Sequence, residues 1–231
     1  MKPMRPWIKE FVAIVAKTLT INEPICEFGS LQVSEQKGEG DLRHLFPGLE
    51  YIGADMREGP GVDKVLNLHK IDLPDESVGT VLCLDTLEHV EHPHRALEEI
   101  HRILKPGGIA VISSVMDFPI HDHPYDYWRF TPEGFRSLLA PFNDSFVGSV
   151  GRERFPHTIV GLGFKGGGPN PRFEREFELW KARQEARGGL SMLEWLRRLI
   201  TPPIMSPRAR KRLGLTIKPG GSRGRKPKFE G

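Results

Sequence analysis

Between Pro24 and Val115 the chain alternates short Val/Ile/Leu-rich runs with turn residues and a helical segment, and no other feature restricts the fold as strongly. The apolar runs are residues 25–28, 51–54, 64–68, 80–84 and 109–115. They are apolar at consecutive positions, so neither face of the resulting sheet can look at water. Such strands, separated by helices, belong to a mostly parallel sheet covered on two sides. Between the last two runs, Ala96, Leu97, Ile100, Ile103 and Leu104 recur at helical spacing from Pro93 onward.

Punctuation fits the same layout. In "LKPGG", Pro106 and Gly107 suit the inner positions of a tight turn that returns the chain to the sheet as "IAVISSV". "FTPEGFRSLL" opens a helix with Thr131 as N-cap, Pro132 at the first helical position and Glu133 beside the positive end. "DSFVGSVG" and "HTIVGLGFKG" then read as an antiparallel pair joined by "RERFP". "GGGPNP", residues 166–171, marks a boundary.

Four regions follow: an N-terminal helix packing on the core (1–20), a catalytic-type domain (21–168), a helical extension (169–200) and a basic, flexible tail (201–231). In the first region Ile8, Phe11, Val12, Val15 and Leu19 make an amphipathic face. Lys9, Glu10 and Lys17 interrupt the apolar run before it reaches signal or membrane-spanning length.

Charge divides the chain more sharply than its formal +3 suggests. Residues 171–231 hold 16 Lys or Arg against 6 Asp or Glu, about +10, which leaves about −7 for the first 170 residues. The tail could contact phosphates without reading sequence, because only Phe229 supplies an aromatic for base stacking. "SMLEWLRRLI" combines apolar and basic residues in a way that suits a peripheral membrane contact as well as packing on its own domain. The two cysteines, Cys26 and Cys83, sit inside apolar runs, so no disulfide framework is expected and a cytoplasmic setting is the simplest.

In a doubly wound sheet, ligands bind beyond the carboxyl ends of the strands, where the strand order reverses. The residues there are Glu27, Gly29 and Ser30 after the first run, Asp55 and Met56 after the second, Asn67 and Leu68 around the end of the third, and Asp85, Thr86, Glu88 and His89 after the fourth. Asp55, 28 positions after Glu27, reads equally as an acceptor for ribose hydroxyls and as the cap of the loop "REGPG".

Taken together, "ICEFGS", "YIGADM", "TVLCLDTLEHVEHP" and "ALEEIHRILKPGGIAVISSV" resemble the class I S-adenosylmethionine-dependent methyltransferases, over about residues 25–139 and to 164 with the final strand pair. The resemblance implies a Rossmann-like α/β fold, with a seven-stranded, mostly parallel sheet, helices on both faces and a terminal antiparallel strand pair. It gives Glu27, Gly29 and Ser30 the methionine end of S-adenosyl-L-methionine, Asp55 the ribose, Met56 the adenine, and Leu68 with Asn67 the adenine edge. Asp85 and Thr86 line the methyl-donor side.

Three positions depart from the family pattern. Ser30, Leu31 and Gln32 break the glycine-rich turn, Asn67 stands where an acid is common, and Gly79 replaces the Asp usual after "PDES". A branch with a lengthened Gly-Ser turn accommodates the first departure, with the second glycine at Gly40 or Gly38 and Asp41 capping the short helix after it.

Methyl transfer from a sulfonium needs alignment and, for an oxygen acceptor, removal of a proton. His89 and His121 are the candidate bases. Asp122, His123, Tyr125, Tyr127 and Trp128, in "PIHDHPYDYWRF", are candidate walls for a polar small-molecule or glycan acceptor, although residue by residue the loop reads somewhat better as packing, with Tyr127, Trp128 and Phe130 against the following helix and His121 as a loop cap. Neither "HDH" nor "EHVEHPH" has an established metal-site spacing, so no metal is expected. The expected activity is O-methylation. The alternatives are a non-catalytic cofactor-binding module and a nucleic-acid methyltransferase using the basic tail.

Overall fold

In a computed structural model, residues 5–32, 40–121 and 125–187 are described, and all of them fall in one compact unit, Met1–Gly188. The element order is α1 (Pro6–Thr18), β1 (Ile25–Phe28), β2 (Tyr51–Asp55), β3 (Lys64–Val65), β4 (Val78–Leu84), α2 (Pro93–Ile103), β5 (Leu104–Val115), α3 (Pro132–Leu138), β6 (Asp144–Arg152), β7 (Phe155–Phe164) and α4 (Pro171–Arg187). The strands form one seven-stranded sheet in the order β3-β2-β1-β4-β5-β7-β6. Pairs from β3 to β5 are parallel; β5 with β7 and β7 with β6 are antiparallel. The order reverses between β1 and β4, and that is where a cleft opens.

Period-two alternation distributes the apolar strand residues between two cores. Cys26, Phe28, Val81, Cys83, Ala110 and Ile112 face one side, against Leu97, Ile100 and Ile103 of α2 and Phe135 and Leu138 of α3. Ile25, Leu82, Leu84 and Val111 face the other, against Ile8, Phe11, Val12 and Val15 of α1 and Phe173, Phe177 and Trp180 of α4. Each such side chain, fully buried, contributes roughly 1.5–3 kcal/mol relative to exposure. Both thiols are buried, which pushes Cys26 up to about 12 and Cys83 higher still, so neither is a nucleophile at neutral pH.

Several boundaries move from those read in the sequence. β3 is only the two residues Lys64–Val65, exposed at the sheet edge, because after Leu66 N bonds to Asp55 O the chain turns away through an Asn67–Lys70 bridge. β5 begins earlier, at Leu104, since Val78 pairs with Leu104 before the register shifts around the glycines. Thr131 caps α3 as the sequence suggests, its hydroxyl accepting from Gly134 N at 3.0 Å.

The glycine-proline stretch at 166–171 separates β7 from α4 along the chain and not in the core. Trp180 and Phe173 are 0% exposed, and Gly148 of β6 lies so close under the Phe177 ring that a Cβ there would collide with it. Residues 188–231, including the second expected helix and the basic tail, lie outside the described residues. Among the described residues no helix is long and apolar enough to cross a membrane.

Candidate functional site

The cleft encloses about 460 Å3 at the carboxyl ends of β1, β2 and β4. Of the sequence-derived candidates, Gly29, Asp55, Met56, Asn67, Leu68, Asp85, Thr86, His89 and Tyr125 line it, together with Phe28, Arg57, His69 and Val90. Its size suits a nucleoside-sized ligand.

Gly29 ends β1 at φ +86°, in the left-handed region that favours glycine, and a Cβ on it would lie far inside van der Waals contact with Thr86 Oγ1. Its N–H donates to Ala54 O at 2.9 Å, which ties the turn to β2. Ser30 follows with its N–H and hydroxyl both donated to that carbonyl, each at 3.1 Å. The hydroxyl is therefore spent on the turn and does not line the cleft. The Thr86 hydroxyl occupies the space a Cβ would need, so glycine is what lets this turn and the corner after β4 meet at the cleft wall, and with the buried Asp55 carboxylate on the same wall the lining fits a ribose-bearing ligand.

Glu27 also stands behind the turn. It is 4% exposed and accepts a 2.7 Å hydrogen bond from the Tyr51 hydroxyl, and burial pushes its carboxyl up to about 7. The folded chain thus holds this proton more tightly than the unfolded chain, whose carboxyl has the ordinary value of 4.5. The contribution of this one carboxyl is therefore full below about 4.5, falls as pH rises to about 7 and changes no further above that. Glu27→Gln keeps the Tyr51 contact and is expected to flatten this decline, leaving the variant about 2–3 kcal/mol more stable than wild type at alkaline pH. Chemical denaturation across that range is the measurement, and parallel curves for the two proteins would refute the assignment.

Asp55 is 7% exposed, and its Oδ1 accepts from Arg57 N at 3.0 Å and Arg57 Nε at 3.4 Å. One carboxylate oxygen thus holds the loop, as the capping reading required, while the residue also lines the cleft. Met56, 68% exposed, and Leu68 supply apolar surface nearby. Asn67 Oδ1 accepts from His69 N at 2.9 Å, an Asx turn that sets the far wall. Gly40 is a bend with open space around it, next to residues 33–39, which are outside the described residues, as are Asp122 and His123.

Asp85 sits at φ +47°, held there by N–H bonds to Ser113 O and Oγ, both 3.0 Å. Its carboxylate is gripped by Arg5, with Nε to Oδ2 at 2.8 Å and Nη2 to Oδ1 at 2.5 Å, while Ser113 Oγ donates to Oδ1 at 2.8 Å. Arg5 precedes α1 and lies 80 positions away in sequence, so nothing in the sequence announced this pair.

Glu88 is the other residue that the candidate roles passed over. It is 1% exposed, accepts from Ser114 Oγ at 2.6 Å, and burial followed by repulsion from Asp85 pushes its carboxyl up to about 8. Its backbone carbonyl receives the N–H groups of Tyr127 (2.8 Å) and Trp128 (3.2 Å), and Trp128 Nε1 donates to Val90 O at 2.9 Å. The loop after β5 is thereby fastened to the loop after β4. Tyr127 and Trp128 serve that fastening and do not line the cleft. His121 is one step from it, its ring edge-on to His89 with centroids 4.7 Å apart.

A family model described as a methyltransferase domain matches residues 47–112, from just before β2 into β5, and so begins beyond the first turn. The chain is 26% identical over 153 residues to a curated ubiquinone/menaquinone biosynthesis C-methyltransferase, UbiE, of Bartonella henselae, covering 59% of this chain and 58% of the relative. It therefore spans just under three fifths of that relative's length. Burkholderia thailandensis 1,6-didemethyltoxoflavin-N1-methyltransferase, solved with 1,6-didemethyltoxoflavin and S-adenosylhomocysteine, has TM-score 0.53 at 19% identity, covering 70% of this chain and 79% of that one. The CMeT domain of the citrinin polyketide synthase has TM-score 0.52 at 15% identity, covering 70% of this chain and 52% of that one. At such identities the structural likeness is one of fold.

Proposed function

From a chain that has the class I S-adenosylmethionine-dependent methyltransferase fold, we propose transfer of a methyl group from S-adenosylmethionine to an oxygen of a small-molecule or glycan acceptor. The observation that carries this reading is the convergence on one cleft of a left-handed glycine after β1, a buried carboxylate at the end of β2 and the Asp85–Thr86 corner after β4.

When bound, S-adenosylmethionine supplies a methyl group on an already electrophilic sulfonium. Asp55 accepts the ribose hydroxyls, Met56 and Leu68 cover the adenine, and Asn67 meets its edge. Gly29 lets the backbone approach the methionine end, with Glu27 and Ser30 acting from behind the turn and Gly40 at the end of the polar insertion. Asp85 and Thr86 border the methyl-donor side. The acceptor enters beside His89 and Tyr125. An oxygen acceptor has a proton to lose, and the imidazoles of His89 and His121 are the basic groups on that side. His89, which lines the cleft, faces the acceptor's hydroxyl, and His121 stands against the His89 ring.

The test is isothermal titration of the full chain with S-adenosylhomocysteine. One site per chain is expected, and no heat at millimolar ligand would sink the proposal in favour of a scaffold module. The nucleic-acid reading rests on residues 201–231, outside the described residues, and no described feature favours it.

A further inference from the structure

Beside the cleft, one carboxylate oxygen from Glu88 and one imidazole nitrogen each from His89 and His121 come within 4.8 Å of one another. The donors arise from two loops, His121 being 32 positions beyond His89. Ligands at roughly 2.1 Å from a tetrahedral ion stand about 3.4 Å apart, so side-chain rotations on the order of an ångström would close the set.

The hydrogen bonds decide which nitrogen each ring offers. His89 Nδ1 lies 2.8 Å from Tyr125 O. A carbonyl only accepts, so Nδ1 carries the proton and Nε2 the lone pair. His121 Nδ1 lies 3.2 Å from Pro119 O and 3.2 Å from Asp126 Oδ2, again two acceptors, and the same tautomer follows. Asp126 is itself fixed by a two-pronged pair with Arg129, Nη1 to Oδ1 at 2.6 Å and Nη2 to Oδ2 at 2.7 Å. An acceptor oxygen behind each imidazole is what orients a metal-ligating histidine and strengthens it as a donor. Glu88 Oε2 is steadied in the same way by the Ser114 hydroxyl.

We propose that Glu88, His89 and His121 bind one divalent transition-metal ion whose open coordination positions take the acceptor's oxygen. Two neutral imidazoles and one carboxylate suit zinc, cobalt or manganese, whereas calcium and magnesium prefer all-oxygen sets. Three protein ligands leave positions free, and His89 connects them to the cleft it lines. With their Nε2 lone pairs given to the ion, the two imidazoles act on the acceptor through it and not as bases: the ion acidifies the bound hydroxyl, whose proton passes to solvent water. Only this acceptor clause rests on the methyl-transfer reading.

The test uses the full, tag-free chain stripped with a chelator and titrated with Co2+, followed by visible d–d absorption. One Co2+ per chain, displaced by Zn2+, is expected. His89→Ala and His121→Ala should each weaken it at least tenfold. Asp126→Asn should weaken it roughly 10–100-fold by loosening the His121 ring, while also releasing one prong of the Arg129 pair. His92→Ala, which alters the separate His69–His92 ring pair, should change nothing. No Co2+ spectrum from wild type overturns the site without recourse to any variant, and so does a loss confined to His92→Ala. Acetohydroxamate, an oxygen chelator, should shift the Co2+ spectrum; an unchanged spectrum would refute the open positions. S-adenosylhomocysteine binding by the stripped chain separates the two proposals. Retained cofactor binding with no Co2+ uptake removes only the metal, and Co2+ uptake with no cofactor heat removes only the methyl-transfer reading.

Discussion

Gly29→Val is expected to lower affinity for S-adenosylhomocysteine at least a hundredfold, about 2.7 kcal/mol. Two effects act together. At φ +86° a β-branched residue is strained, and its Cβ would press on Thr86 Oγ1, which donates to Leu84 O at 2.9 Å and so is not free to swing away. The turn and the β4 corner must then separate, and both border the cleft. Because the variant is strained in the folded state as well, Asp55→Asn provides an independent reading. It preserves the oxygen that accepts from Arg57 N, so the melting temperature should hold while affinity falls about tenfold through the weakened ribose contact. Unchanged affinity in both variants, by titration calorimetry, would refute the cofactor placement.

Trp180→Ala is expected to destabilise the chain by about 3–5 kcal/mol in chemical denaturation, the usual range for emptying a large aromatic site. Trp180 of α4 is fully buried against α1, with ring centroids 5.5 Å from Phe11 and 5.4 Å from its own helix's Phe177. Trp180→Phe should cost far less. The indole N–H has no acceptor among the described residues, so that substitution removes an unsatisfied donor along with some volume. If Trp180→Ala lost under 1 kcal/mol, α4 would be an appendage and the glycine-proline stretch a true domain boundary.

The sheet was legible in the sequence because a parallel sheet covered on both faces writes itself as consecutive apolar residues. Ile25, Cys26, Leu82 and Cys83 declared their burial in that way, and TPEG supplied the cap of α3 through local conformational preference, whereas Pro106 and Gly107, read as a tight turn, lie inside β5 with Gly107 at φ +78°. Edge strand β3 was overextended because Leu66 and Leu68 are apolar and buried beneath a turn, where no ladder is needed. Candidates at or just after strand ends, such as Gly29, Asp55 and Thr86, reached the cleft because the apolar runs fix where the strands stop. Candidates chosen for their chemistry fared differently. Buried Ser30 turned its hydroxyl to Ala54 O, and half-exposed Trp128 gave its N–H to Val90 O, since a polar group withdrawn from water bonds to whatever neighbour the fold brings within reach.

What the sequence determined by itself was therefore local: the apolar period, the caps, the glycine after β1 and the acid after β2. Only the tertiary structure decided the partners. It joined Arg5 to Asp85 across 80 positions, set Glu27 behind the turn against Tyr51, and brought His121 to Glu88 and His89. Spacing along the chain carries information only while one helix or strand dictates geometry. Beyond that, distance is set by how the loops after β4 and β5 are fastened together, here through the Glu88 carbonyl and the Trp128 indole.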